Sequence, residues 1–137
     1  MFTSTPYLCA QGLGFAALSA CFNFPSLIDV DWLEAKAREL ASQDRIDSLD
    51  NVKDSRVYIQ AGQYDYVVRQ GTSPKTSELY SRFDADIKTV YDVPTAHVIP
   101  TVDTGDDCSL TGDPMEHFGA CNYNGAKNLL EYLLGDL

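Results

Sequence analysis

Apolar positions recur with helical spacing in one stretch of this chain, end signals mark two further helices, and apolar residues cluster with strand character in two other stretches. Residues 31–42 (DWLEAKARELAS) place Leu33, Ala37 and Leu40 on one face, and Asp31 followed by Glu34 predicts the N-terminal cap. Residues 73–83 (SPKTSELYSRF) predict a second helix, with Ser73 as N-cap and Pro74 at its first position. Residues 124–135 (NGAKNLLEYLLG) close the chain as a helix whose Leu129, Leu130, Leu133 and Leu134 are apolar and whose stop is Gly135. Residues 56–61 (RVYIQA) form a β-branched and aromatic run that turns at Gly62, and residues 87–91 (IKTVY) alternate; both predict strands. The remainder reads as connection. Residues 6–25 are irregular with one short helix, residues 44–55 are polar with Ile46 and Leu49 as contacts, and residues 92–122 are a long loop rich in Gly, Asp and Pro. Without a repeat, low-complexity tract or linker, residues 1–137 read as one unit.

From Arg56 onward the predicted order is strand, helix, strand, helix, so the fold class is α/β. A connection of this length favours neighbouring parallel strands joined by a right-handed crossover. The loops after both strands then leave the same carboxyl edge, where ligand and catalytic groups gather in open α/β sheets. Asp65 follows the first strand and His97 the second. Strands roughly 4.8 Å apart can bring the two side chains into contact. An Asp on one imidazole nitrogen fixes the tautomer and leaves the other free as a base. Acid before His, each after a late strand, is also the order of a hydrolase triad whose Ser comes earlier. By spacing alone, a turn-forming Asp and a surface His remain the competing reading. His117 reads as structural or exposed, with Met115 and Phe118 packing against the long loop. His97, His117 and Asp103, Asp106 or Asp107 are metal-capable types, but DTGDD lacks the twelve-position pattern of a calcium hand and reads as solvated loop.

Charge narrows the partners. Ten basic against 20 acidic residues give a net charge of −10, which argues against nucleic acid or an anionic membrane as partner. No apolar run approaches the ~20 residues of a spanning helix, and residues 1–10 carry neither the basic nor the apolar region of a signal peptide. Cys9 with Cys21 and Cys108 with Cys121 are two close pairs without zinc-knuckle spacing. An even count favours disulfides in an oxidising compartment, with local pairing the simplest of three connectivities. Buried free thiols in a cytosolic protein remain the alternative.

Several stretches together resemble the poly(3-hydroxybutyrate) depolymerases and related secreted esterases. RVYIQAGQYDYVV resembles the segment around their triad Asp, and AHVIPT the segment around their triad His. CSLTGDPMEHFGACNYNGAKNLLEYLLG resembles their closing stretch, with Asn124 where the family usually has Asp. PYLCAQG, then Cys21 and FPSLI, is similar to the cysteine-bearing segment after their nucleophile turn. The likeness runs from about Pro6 to Gly135 and rests on the joint order of these motifs.

The resemblance implies the C-terminal part of an α/β-hydrolase with an incomplete sheet, Asp65 as triad acid and His97 as base. It also implies disulfides Cys9–Cys21 and Cys108–Cys121, a secreted parent, and an ester or polyester substrate, with neither cofactor nor metal required. In the family a strand and a G-x-S-x-G turn lie upstream of the PYLCAQG-like segment. No serine here has glycine at both −2 and +2, and Gly12 and Gly14 flank only Leu13. The expectation is a partial hydrolase domain over residues 1–137, lacking the N-terminal half with the nucleophile, inactive alone and marginally stable. Its partner would be that half. The alternative is a non-catalytic remnant or interaction module derived from the same fold.

Overall fold

A computed structural model of the chain describes residues 2–3, 5–110 and 117–135. At its centre is β2 (Arg56–Gln60), paired in parallel with β1 (Phe2–Thr3) on one side and β3 (Asp86–Val90) on the other. Val57 stands opposite Ile87 and Ile59 opposite Thr89, so the predicted parallel neighbours are present in register. Four consecutive buried residues, Val57 to Gln60, mark a parallel strand covered on both faces. Val57 and Ile59 pack with Tyr80 on one face, and Tyr58 packs with Val90, Val93, Leu129 and Leu133 on the other.

The crossover between β2 and β3 is α3 (Thr72–Ser81), and α4 (Gly125–Leu134) covers the opposite face. Outside α3 lies α2 (Val30–Ser42), which buries Leu33 and Ala37 against Leu79 and Phe83. Ahead of it, α1 (Gly14–Ala16) runs into a π-turn over Ala17–Cys21, the short helix expected in that irregular segment. Both disulfides implied by the resemblance form, Cys9–Cys21 and Cys108–Cys121. Among the described residues no helix is long and apolar enough to cross a membrane.

Three local expectations are corrected. The cap of α2 is Asp29, whose carboxylate accepts the Trp32 amide at 3.0 Å, because starting at Val30 buries that valine. Asp31 instead sits in the first turn and pairs with Arg82. Helix α3 starts at Thr72, with Gly71 at the cap position and Ser73 fully buried. Its first amides are met by a backbone turn, Thr72 N–H to Arg69 O at 2.9 Å and Ser73 N–H to Gln70 O at 3.3 Å. The third correction is larger. The stretch 92–122 holds β4 (Ile99–Thr101), β5 (Asp106–Asp107) and β6 (Phe118–Ala120), a second parallel sheet in the order β4-β6-β5. Strands of two or three residues are too short to show a period.

Candidate active site

The two loops leaving β2 and β3 are joined beyond the end of the sheet. Ala61 N–H donates to Val90 O at 3.0 Å, Gln63 N–H to Val93 O at 3.2 Å, and Tyr64 N–H to Thr95 O at 2.9 Å. This continued pairing carries Asp65 and His97 forward side by side. Oδ1 of Asp65 accepts the amides of Val67 at 2.9 Å and Val68 at 2.8 Å, a local turn that fixes the carboxylate plane. Its Oδ2 lies 2.9 Å from Nδ1 of His97. An ionised carboxylate can only accept, so in the neutral ring this contact places the proton on Nδ1 and leaves Nε2 bare. The Asp65 side chain is 11% exposed and that of His97 45%, so the acid is shielded and the imidazole accessible.

Both residues line a cavity of about 550 Å³ with mostly apolar walls that include Ile99, Phe118 and Leu129. Gln60, at the carboxyl end of β2, and Thr95 add polar groups to its floor. Leu129 was legible as an apolar position of the closing helix, but Ile99 and Phe118 carried no signal as wall residues, because they belong to the unanticipated second sheet. The one hint was Gly125, where a Cβ would come within 2.8 Å of the Pro100 ring.

His117 is exposed, as expected, but lines the same cavity as His97, which the sequence did not indicate. Its carbonyl accepts the Ile99 amide at 2.6 Å. Phe118, expected to pack against the long loop, is 51% exposed on β6, since strand alternation turns its neighbour Gly119 inward instead. Met115 lies outside the described residues. The acidic stretch is turn structure. Asp107 accepts the Ser109 amide at 2.8 Å and its hydroxyl at 2.6 Å, which hold its carboxyl below the ordinary value, the hydroxyl most. Among the described residues no group of three His, Cys, Asp or Glu could hold a metal ion.

Fold and site together define an α/β protein with an acid–imidazole pair at the carboxyl edge of a parallel sheet. Comparison with known proteins narrows the class. The chain is 32% identical over 134 residues, 96% of its length, to a poly(3-hydroxybutyrate) depolymerase from Delftia acidovorans. It spans 27% of that relative's length. A solved PHB depolymerase complexed with an R3HB trimer has the same fold, with a TM-score of 0.81 at 22% identity, over 100% of this chain and 42% of the other. No protein-family profile matches. The chain is thus a relative of the poly(3-hydroxybutyrate) depolymerases, corresponding to a part of their length.

Proposed function

We propose that this chain is the acid–base half of a polyester-hydrolysing serine esterase, the C-terminal part of an α/β-hydrolase domain. The Asp65 Oδ2 to His97 Nδ1 contact of 2.9 Å carries this reading. A serine from outside the chain attacks an ester carbonyl while Nε2 of His97 takes the hydroxyl proton. His97 returns the proton to the departing alcohol, and then deprotonates the water that opens the acyl-enzyme. Asp65 holds the tautomer and stabilises the imidazolium. The apolar walls beside His97 suit the short, uncharged repeat of a hydroxyalkanoate polyester rather than an ionic substrate. The relatives' names support that substrate class, and the two disulfides and acidic surface support a secreted parent.

Loss of a serine nucleophile costs about 10⁶ in turnover, so this chain alone is catalytically incompetent. A further support for a missing partner is uncovered apolar surface: Leu13, Phe15, Leu18, Phe24 and Leu27 are all more than half exposed. The test is hydrolysis of a chromogenic butyrate ester by the purified chain, with and without an added upstream segment containing G-x-S-x-G. The chain alone gives the rate of its His97→Ala variant, and the mixture gives His97-dependent turnover. Turnover by the chain alone that disappears in His97→Ala would overturn the claim of incompetence. A mixture that stays inactive although the two parts co-purify would favour the interaction module instead.

A further inference from the structure

We infer that the Cys108–Cys121 disulfide is a positioning element for His97, holding the imidazole in register with Asp65 through both of its chain neighbours. The inference rests on the reading of His97 as the base. On the N-terminal side, the Ala96 amide donates to the carbonyl of Cys108 at 2.8 Å, so the residue before His97 hangs from one half of the disulfide. On the C-terminal side, Val98 lies over Gly119, the β6 residue two places before Cys121. A Cβ on Gly119 would come within 2.7 Å of Val98 Cγ2, 3.2 Å of Cys121 Sγ and 3.4 Å of Cys108 Cα. Val98 and the disulfide therefore both lie against Gly119. The Cys121 amide in turn donates to Thr101 O at 2.9 Å, closing the end of the sheet whose first strand begins two residues after His97.

The grip on His97 is otherwise thin. The imidazole is 45% exposed and hydrogen-bonds the Asp65 side chain. The other supports of its loop are backbone bonds, those on the Asp65 side ending at Thr95 and the Ile99 amide to His117 O at 2.6 Å. The Cys108–Cys121 bridge thus supplies an anchor next to His97 that does not run through Asp65. It is also the more accessible bridge: Cys9 and Cys21 are buried in the α2–α3 core, whereas Cys108 and Cys121 are half-buried. A mild thiol reductant therefore reaches the positioning bridge first.

Nitrogen-15 spectra of the His97 ring in the full chain test this without any catalytic turnover. The wild-type chain shows a single tautomer with the proton on Nδ1. The Cys108→Ala/Cys121→Ala variant shows mixed tautomers and at least a tenfold faster exchange of that proton. Cys9→Ala/Cys21→Ala keeps the wild-type His97 pattern even though it lowers the melting temperature, which separates positioning from general stability. Gly119→Ala keeps all four cysteines but pushes Val98 away from β6 beside the bridge. It produces the same loss of the single tautomer, and decides the matter if the cysteine variant does not fold. An unchanged tautomer in Gly119→Ala, or in a folded Cys108→Ala/Cys121→Ala variant, overturns the inference and leaves the acid–base reading standing. Mixed tautomers in the wild-type chain overturn that reading itself.

Discussion

Gly62 and Thr95 approach so closely that no other residue type fits at position 62: an added Cβ would overlap both the carbonyl oxygen and Oγ1 of Thr95. Ala96 O would also lie at only 2.9 Å. Thr95 is 1% exposed and cannot yield outward. Gly62→Ala should therefore separate the two loops, destabilising the chain by about 2–3 kcal/mol, as overpacking of a close-packed site typically does. Urea denaturation measures the loss, and the His97 ring spectrum should show the Nδ1 proton released from Asp65. A midpoint within error of the wild type would mean that the loops are not held in contact in solution.

How much of this was legible in the sequence depended on the length of each element. RVYIQ announced a strand because Val57, Tyr58 and Ile59 are a continuous β-branched and aromatic run, and Leu33, Ala37 and Leu40 announced α2 by their spacing. The meeting of Asp65 with His97 followed from the order of two strands and a crossover. The second sheet did not follow, since Ile99–Thr101, Asp106–Asp107 and Phe118–Ala120 are each too short to express a period. That sheet exists because the Cys108–Cys121 bridge and bonds such as Ile99 N–H to His117 O hold distant segments together. With the sheet unseen, the cavity walls it supplies were unseen too. The caps of α2 and α3 were each misplaced by two residues for a related reason: burial of Val30, Thr72 and Ser73 outweighed the local capping signal.

Asn124 is the cap of α4, its side-chain oxygen accepting the Lys127 amide at 2.9 Å. Asn124→Ala removes that acceptor and should cost about 1 kcal/mol, read from the thermal midpoint. Asn124→Asp keeps the acceptor and adds a negative charge at the positive end of the helix, a gain of up to about 1 kcal/mol at low salt. The order of stability should be Asp, then Asn, then Ala. An Ala variant as stable as the wild type would show that α4 is held by its Leu129 and Leu133 contacts alone.

Arg82 bridges α2 and α3 by pairing with Asp31, with Glu34 at 3.0 Å and with Glu78 at 2.8 Å. Arg82 first, and Arg38 second, hold the Glu34 carboxyl below its ordinary value of 4.5. A depressed carboxylate contributes stability that is present above its unfolded-state value and disappears as pH falls through the folded one. Acidification below pH 4.5 should thus lower the melting temperature of the wild type more steeply than that of Arg82→Met. The groups are solvent-facing, so added salt should shrink the difference. Parallel pH profiles for the two proteins would remove this bridge from the account of acid stability.

At the alkaline end the decisive group is Tyr132 on α4. Its hydroxyl donates to the backbone carbonyl of Asp86 at 2.7 Å, tying the last helix to the first residue of β3. Burial first, and hydrogen bonding to the Asp86 side chain second, push its phenol up to about 12. Tyr58, whose ring centroid lies 6.1 Å away, is shifted in the same direction by burial and by its 2.9 Å hydroxyl contact with Tyr123. For a raised acid the sign is the reverse of the carboxylate case. The contribution is complete below the ordinary value of 10.0 and is lost as pH climbs toward about 12. Tyrosinate absorbance from these two rings should appear together with the loss of helical circular dichroism, not before it. Tyr132→Phe should lower stability at neutral pH by about 1 kcal/mol, the net value of one hydrogen bond, and flatten the alkaline slope. If all the tyrosines instead ionise near their ordinary value while the fold persists, α4 does not cover the sheet in solution, and the wall it gives the cavity beside His97 is absent.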